Sequence, residues 1–220
     1  MLGKVAVGDK SNRETARVGV YVDGFNLYYG LKCLSGRRDL WLDLVAMARD
    51  LLRPGQRLEL VTYFTTLVRG DPTSVERQRA YLAALKAHGA DVVLGRFQEQ
   101  LRRCRQCGAT WRSYEEKKTD VAIASAMVAD VALQQVDVIM LVSADSDLCA
   151  AVEKIREIDA LRGTKTRVVA VFPPGKSSDG LRRCSDAWFP LGAAVVRRSQ
   201  FPDVVHGRDG ALYHRPPHWN

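Results

Sequence analysis

No apolar run in this 220-residue sequence approaches the ~20 residues that a membrane-spanning helix needs. The opening stretch, MLGKVAVGDKSNRETARVG, has no apolar core followed by a small-residue cleavage site. A secretory signal is therefore not expected, and a cytoplasmic setting is the default. There is no GxxxxGK[ST] loop, which removes the P-loop class of phosphate-handling proteins. Histidine is scarce, with four residues, and none is placed as an evident general base. Cysteine is scarce and odd in number at five, so free thiols or a metal site are expected rather than a disulfide framework. Internal repeats and low-complexity blocks are lacking too.

What is present is positive charge and alternating structure. Lys and Arg total 33 against 25 Asp and Glu, for a formal charge of +8 and a pI near 9.4. A basic surface favours polyanionic partners such as nucleic acid, although ordinary basic proteins share this balance. At 46% hydrophobic residues, the chain can bury one sizeable core. A flexible leader is expected over 1–15, one domain over 16–200, and an irregular tail over 201–220, where Gly, Pro and His accumulate.

Between the ends, strand and helix signals alternate. RVGVYVDG (17–24) is a β-branched run. DLWLDLVAMARDLL (39–52) has apolar residues at helical spacing before Pro54. RLELVTYFTTLV is a second strand. DPTSVERQRAYLAALKAHG opens on Asp-Pro and closes on glycine, as helices do. ADVVLGRFQ is a third strand, followed by a Cys- and Arg-bearing insert over 99–116. Then come a helix (118–133), a strand (VDVIMLVSAD), a helix (147–161), a strand (TRVVAVFPP), and a short helix with a last short strand. This alternation predicts an α/β fold: a parallel sheet with helices on both faces. In such sheets, ligands bind beyond the carboxyl ends of the strands, where strand order reverses. If the first strand is central, the strand at 136–145 lies beside it there.

The carboxylates fall at these ends. Asp23 closes the first strand, Asp145 and Asp147 close the VIMLV strand, and Asp120 lies in the first turn of the preceding helix. Singly, each is an ordinary turn or cap residue. Together they would repel unless a cation neutralised them. Hard oxygen donors suit Mg²⁺ or Mn²⁺, and such a site suits phosphodiester hydrolysis.

VYVDGFNLYYG, KKTDVAIASAMVAD and IMLVSADSDLCAAVEKIRE, in that order, resemble the three motifs of NYN domains, a branch of the PIN-like nucleases, with the LabA-like group most similar. The resemblance spans about 17–191. It implies a Rossmann-like three-layer α/β/α sandwich with a short, mainly parallel sheet. It also implies an acidic pocket for Mg²⁺ or Mn²⁺, RNA as substrate and a tendency to pair into homodimers. Carried over, Asp23 and Asp145 are the expected direct metal ligands, with Asp120 and Asp147 binding directly or through water. Asn26 would hydrogen-bond a metal-bound water or the phosphate, its other role being to cap the helix that begins there. Ser143 would hold a carboxylate or a phosphate, or only finish the strand. Asp130, ten residues beyond Asp120, would make a structural contact instead. A non-catalytic RNA-binding module on the same fold is the alternative.

Lys117 and Lys118 precede Asp120 and are expected at the mouth of the pocket. Arg103 and Arg112, with Arg96, Arg102 and Arg105, flank Trp111 and Tyr114 on or around the insert, the composition of a single-strand groove or, equally, of a solvated basic hairpin whose aromatics pack on the body. Tyr28 and Tyr29 are candidates for base stacking, against ordinary core packing. CRQCG (Cys104, Cys107) has zinc-knuckle spacing but supplies two of the four ligands a structural zinc needs. Cys184, Cys33, His88 or a second chain would have to complete it.

Overall fold

β1 (Ala16–Asp23) forms where the β-branched run predicts it, and its residues from Val18 to Asp23 are all buried, as a central strand covered on both faces requires. In this computed structural model residues 15–69, 71–207 and 210–219 are described, with backbone alone at 96–102 and 111–117. The expected leader lies almost wholly outside the described residues. In chain order, β1 is followed by α1 (Gly24–Ser35), α2 (Leu44–Asp50), β2 (Gln56–Thr65), α3 (Pro72–Ala87), β3 (Asp91–Leu94), β4 (Arg96–Arg103) and β5 (Thr110–Lys117). Next come α4 (Thr119–Ala132), β6 (Val138–Val142), α5 (Cys149–Arg162), β7 (Arg167–Phe172), α6 (Asp179–Cys184), β8 (Ala187–Pro190), α7 (Ala193–Arg198), β9 (Val204–His206) and β10 (Leu212–His214).

Six strands make one parallel sheet in the order β3-β2-β1-β6-β7-β8. From β1 the chain first builds outward through β2 and β3, then returns to the other side of β1 for β6. The order reverses between β1 and β6, so these strands form the switch point expected of a doubly wound sheet. Side-chain alternation divides the core into two layers. Val18, Val20, Val22, Val138, Met140 and Val142 face α1, α2, α3 and α7. Tyr21, Ile139 and Leu141 face Ile123 and Met127 of α4, Val152 and Ile155 of α5, and Leu181 of α6. The fold is thus an α/β/α sandwich.

Three segments differ from the sequence expectation. The helix expected from residue 39 begins only at Leu44, because Asp43 caps it: its Oδ1 accepts from the N–H groups of Val45 (2.9 Å) and Ala46 (3.0 Å). The apolar residues before it, Leu40 to Leu42, pack instead as extended chain, and Leu42 bridges to Gln200. The insert is a regular antiparallel hairpin, β4 with β5, and it starts at Arg96 rather than Glu99. It springs from the carboxyl end of β3 and returns directly into α4, so it is rooted at the same sheet edge as the switch point. Last, the segment from 201 is not irregular. β9 and β10 form a hairpin, and Phe201, Val205 and Trp219 join the core beside α3. Gly207 and Gly210 lie in the turn between the two strands, whereas His206 and His214 are strand residues; the buried anchors of the tail are isolated apolar residues with no periodicity to betray them.

Candidate active site at the carboxyl edge of the sheet

Register fixes the first two residues. Val22 pairs with Val142, so Asp23 and Ser143 follow side by side as the two central strands end. Ser143 is fully buried and Asp23 is 4% exposed. The Ser143 hydroxyl donates to Asp23 Oδ2 (2.9 Å) and accepts from the Asp145 N–H (3.1 Å). One serine therefore joins both aspartate-bearing loops. Its hydroxyl thus holds a carboxylate, one of the roles the sequence left open.

Asp23 also caps α1. Its Oδ1 accepts from the Asn26 N–H (3.1 Å) and its Oδ2 from the Asn26 side-chain amide (2.7 Å). Capping and site-building are the same geometry here: a buried carboxylate needs donors, and the orphan N–H groups of a helix start supply them. Asn26 does not cap the helix itself; it steadies the residue that does. Gly24 lets this turn close, since a Cβ there would lie 2.6 Å from the Phe64 carbonyl and 2.7 Å from the Tyr63 ring.

On β6, Asp145 rather than Asp147 is the cap. Asp145 Oδ1 accepts from the Asp147 N–H (3.0 Å) as the chain enters a short 3₁₀ turn ahead of α5. Asp147 is exposed in that turn, where the helix dipole favours a negative charge. Asp120 is exposed in the first turn of α4. Its neighbour Thr119 is buried, with its hydroxyl 3.5 Å from that of Thr66, just past β2. This threonine pair, which sequence reading passed over, anchors the start of α4 to the sheet. Lys118 precedes it in a left-handed conformation, φ 80°, and is exposed. A non-glycine residue in that region stores strain of the kind that functional loops carry. Asp130 makes a structural contact, as expected: it accepts from the Tyr21 hydroxyl (2.6 Å), and burial together with this carboxylate pushes the tyrosine far above its ordinary range.

Asp23, Asn26, Ser143 and Asp145 thus form one hydrogen-bonded chain, with Asp147 attached through its N–H. The donors match a hard divalent cation in kind, being carboxylate oxygens. Among the described residues, however, no three His, Cys, Asp or Glu side chains converge closely enough to hold a metal.

The cysteine pair sits at the tip of the β4–β5 hairpin. Gly108 takes φ 73° and donates to the Cys104 carbonyl (3.0 Å), as the tight turn requires. Two of the residues proposed to complete a zinc site are engaged elsewhere, while Cys33 is a free thiol exposed on α1. Cys184 donates to Cys149 (Sγ–Sγ 3.2 Å), and His88 pairs with Asp43 (2.7 Å). Arg103 is exposed at the end of β4; Arg112 and Lys117 lie in β5, and their side chains are outside the described residues. The backbone N–H groups of Cys107 and Gln106 point at the Cys104 sulfur and lower its thiol below the usual range, whereas burial and the Cys184 contact push Cys149 up to about 12. The thiolate is the reactive form. Iodoacetamide near pH 7 is therefore expected to label Cys104 first and Cys149 last; peptide mapping by mass spectrometry checks the order, and early labelling of Cys149 would contradict this packing.

Beside Gly24 opens a cleft of ≈230 Å³ between α1, α3, the end of β2 and the C-terminal segment. Tyr28, Tyr29, Tyr63, Tyr81 and Trp219 line it, with Arg37 and Arg77 among its polar groups.

A family model of the NYN domain matches residues 17–191. The chain belongs to the NYN domain family. This NYN protein is also similar to the 6-hydroxy-3-succinoylpyridine 3-monooxygenase HspA of Pseudomonas putida (strain DSM 28022 / S16), with 26% identity over 254 aligned positions that cover 96% of this chain and 77% of that one. Among solved structures, a protein of unknown function from Vibrio parahaemolyticus RIMD 2210633 matches with a TM-score of 0.55 at 20% identity, covering 84% of this chain and 98% of that chain. This last likeness supports the fold alone. NYN domains are associated with nuclease activity. No described helix of this chain is long and apolar enough to cross a membrane.

Proposed function

We propose that this NYN protein, on its motifs a member of the LabA-like group, is a metal-dependent ribonuclease that hydrolyses RNA phosphodiester bonds at the edge between β1 and β6. The observation that carries the reading is the buried Ser143 hydroxyl, which donates to the Asp23 carboxylate and accepts from the Asp145 backbone N–H, so the aspartate-bearing ends of the two central strands are held together. A Mg²⁺ or Mn²⁺ ion bound there would polarise the phosphate and make its water more acidic. Asp23 and Asp145 present oxygen donors, and Ser143 and Asn26 hold Asp23 in place. Asp120 and Asp147 add negative charge around them. Lys118 and Lys117, at the junction of hairpin and α4, meet the phosphates on either side of the cut. Arg103 and Arg112 hold the strand along the hairpin. Water adds to phosphorus in line, and the bond to the leaving ribose oxygen breaks. A zinc ion at Cys104 and Cys107 would need two further ligands from beyond the described residues or from a second copy of the chain.

The test incubates labelled single-stranded and hairpin RNA with the protein plus Mn²⁺, Mg²⁺ or a chelator. Cleavage with either cation and none with chelator is expected. RNA bound but uncut under every cation would favour the non-catalytic RNA-binding module.

One observation favours a second reading. The aromatic cleft beside Gly24 suits a single ring system, and one relative is named for a pyridine substrate. On that reading the chain binds a small heteroaromatic acid. Saturable binding of a pyridine carboxylate in calorimetry, with no RNA bound, would favour it.

A further inference from the structure

We propose that the cleft beside Gly24 is a base pocket: it takes one unstacked base of single-stranded RNA whose neighbouring phosphate lies at Asp23 and Asp145. The proposal rests on the ribonuclease reading of the acidic edge and adds how the strand is held there.

Position is the first support. The cleft starts at Gly24, the residue directly after Asp23, and runs along α1 on the β2 side of β1. Asp145 and Asp147 lie on the β6 side. A strand whose phosphate sits over the β1–β6 junction thus has the cleft within a nucleotide's reach. Gly24 contributes to both, since its missing Cβ lets the Asp23 turn lie against Tyr63, which lines the cleft.

The lining is the second. Tyr81 and Trp219 meet edge to face at 5.6 Å, and Tyr63 meets Tyr81 at 5.9 Å. These three are buried and form a fixed floor. Tyr81 spends its hydroxyl on the Leu42 carbonyl (2.8 Å), which locks its ring. Tyr29 differs: it is 49% exposed, with Phe25 stacked toward one face at 6.4 Å and the Tyr28 ring edge-on at 5.3 Å, which leaves the other face for a ligand. A large exposed aromatic at the rim of an aromatic floor has an open face on which a flat ring can stack.

Size and charge narrow the occupant. At ≈230 Å³ the cleft is below the usual volume of sites for drug-sized ligands, so it accommodates one base rather than a paired duplex. A base enters such a cavity only out of its stack, which selects single strands. Arg37, exposed just after α1, places positive charge at the rim for the backbone. Arg77 is already spent, with its guanidinium on the Ser74 hydroxyl (2.6 Å) and near Asp71. The polar side of the cleft therefore reads backbone charge, and stacking supplies the affinity with little preference for sequence.

The test uses Asp145→Asn protein, to prevent cleavage, and fluorescently labelled single-stranded oligouridylate in an anisotropy titration. Base stacking on aromatics is worth about 1–3 kcal/mol per base. Adding Tyr29→Ala is expected to weaken binding roughly 5- to 150-fold, and adding Tyr29→Phe to restore it. A single abasic position moved along the oligonucleotide should weaken binding at one site, and that loss should vanish in Tyr29→Ala protein. Unchanged affinity in Tyr29→Ala protein, with RNA still bound, would overturn the pocket and leave the ribonuclease reading intact. No RNA binding by any form would overturn both. Displacement of the RNA by a pyridine carboxylate at stoichiometric concentration, with no abasic effect, would hand the cleft to a small molecule and overturn the proposal.

Discussion

Asparagine at position 145 is expected to lower RNA cleavage about 10²-fold or more while leaving the fold intact. The expectation combines two separable roles of Asp145. Its Oδ1 caps the turn into α5 by accepting from the Asp147 N–H, and its own N–H is held by Ser143. Asparagine retains an oxygen for the cap, and Asn and Asp are equivalent at that position. The backbone contact to Ser143 does not depend on the side chain. Stability should therefore change by less than about 1 kcal/mol, a shift of no more than about 2–4 °C for a chain of this size. What is lost is an anionic oxygen at the sheet edge, where several kcal/mol of transition-state stabilisation are at stake if a divalent cation acts there; each 1.4 kcal/mol is about tenfold in rate. Single-turnover cleavage of labelled RNA beside a thermal melt reads both quantities. Equal cleavage by both proteins would remove Asp145 from the site. Asp23 is the poorer probe, because its buried carboxylate accepts three hydrogen bonds. An amide there would turn a donor toward donors, so lost activity could reflect lost structure.

The parts of this molecule that could be read from its sequence are those where one residue type answers one physical need. VIMLV is apolar at every position because both faces of its strand are covered, and that pattern fixed a central parallel strand. Asp at the ends of two such strands, with Asp120 in the first turn of α4, pointed to the edge where the site is proposed. Roles were less legible. Asp147 and Asp145 are two residues apart, and only the closed turn shows that Asp145 is the cap. Ser143 was ambiguous between carboxylate and phosphate until register placed it beside Asp23. The cleft was invisible for a different reason. Tyr28 and Tyr29 follow directly on the first motif, but Tyr63, Tyr81 and Trp219 come from β2, α3 and the far C-terminal end, and nothing local in the sequence joins them. The partners of Cys184 and His88, named as candidates for a zinc site, are long-range facts of the same kind.

The same long-range packing sets the largest expected loss of stability, at Trp41. Its side chain is fully buried and meets Phe201 at 5.6 Å, Tyr81 at 6.0 Å and Trp219 at 6.2 Å. Its indole N–H donates to the Pro202 carbonyl at 2.8 Å. Trp41 thus clamps the C-terminal segment, entering at 201 and leaving at 219, onto α3. Trp41→Ala removes a whole buried aromatic and should cost about 3–5 kcal/mol, lowering the thermal midpoint by roughly 6–20 °C. The loss is directional as well as large. With the clamp gone, the segment that carries Trp219 should open first, so trypsin is expected to cut at Arg198 or Arg215 well before the sheet unfolds. Trp188→Ala is the control: that ring is 46% exposed, with the Arg182 guanidinium 4.4 Å above it, and its loss should cost about 1 kcal/mol. A Trp41→Ala melt no lower than that of Trp188→Ala would mean that the last twenty residues are not part of the core. Because Trp219 lines the cleft, the same variant should also bind single-stranded RNA more weakly at temperatures where its sheet is still folded.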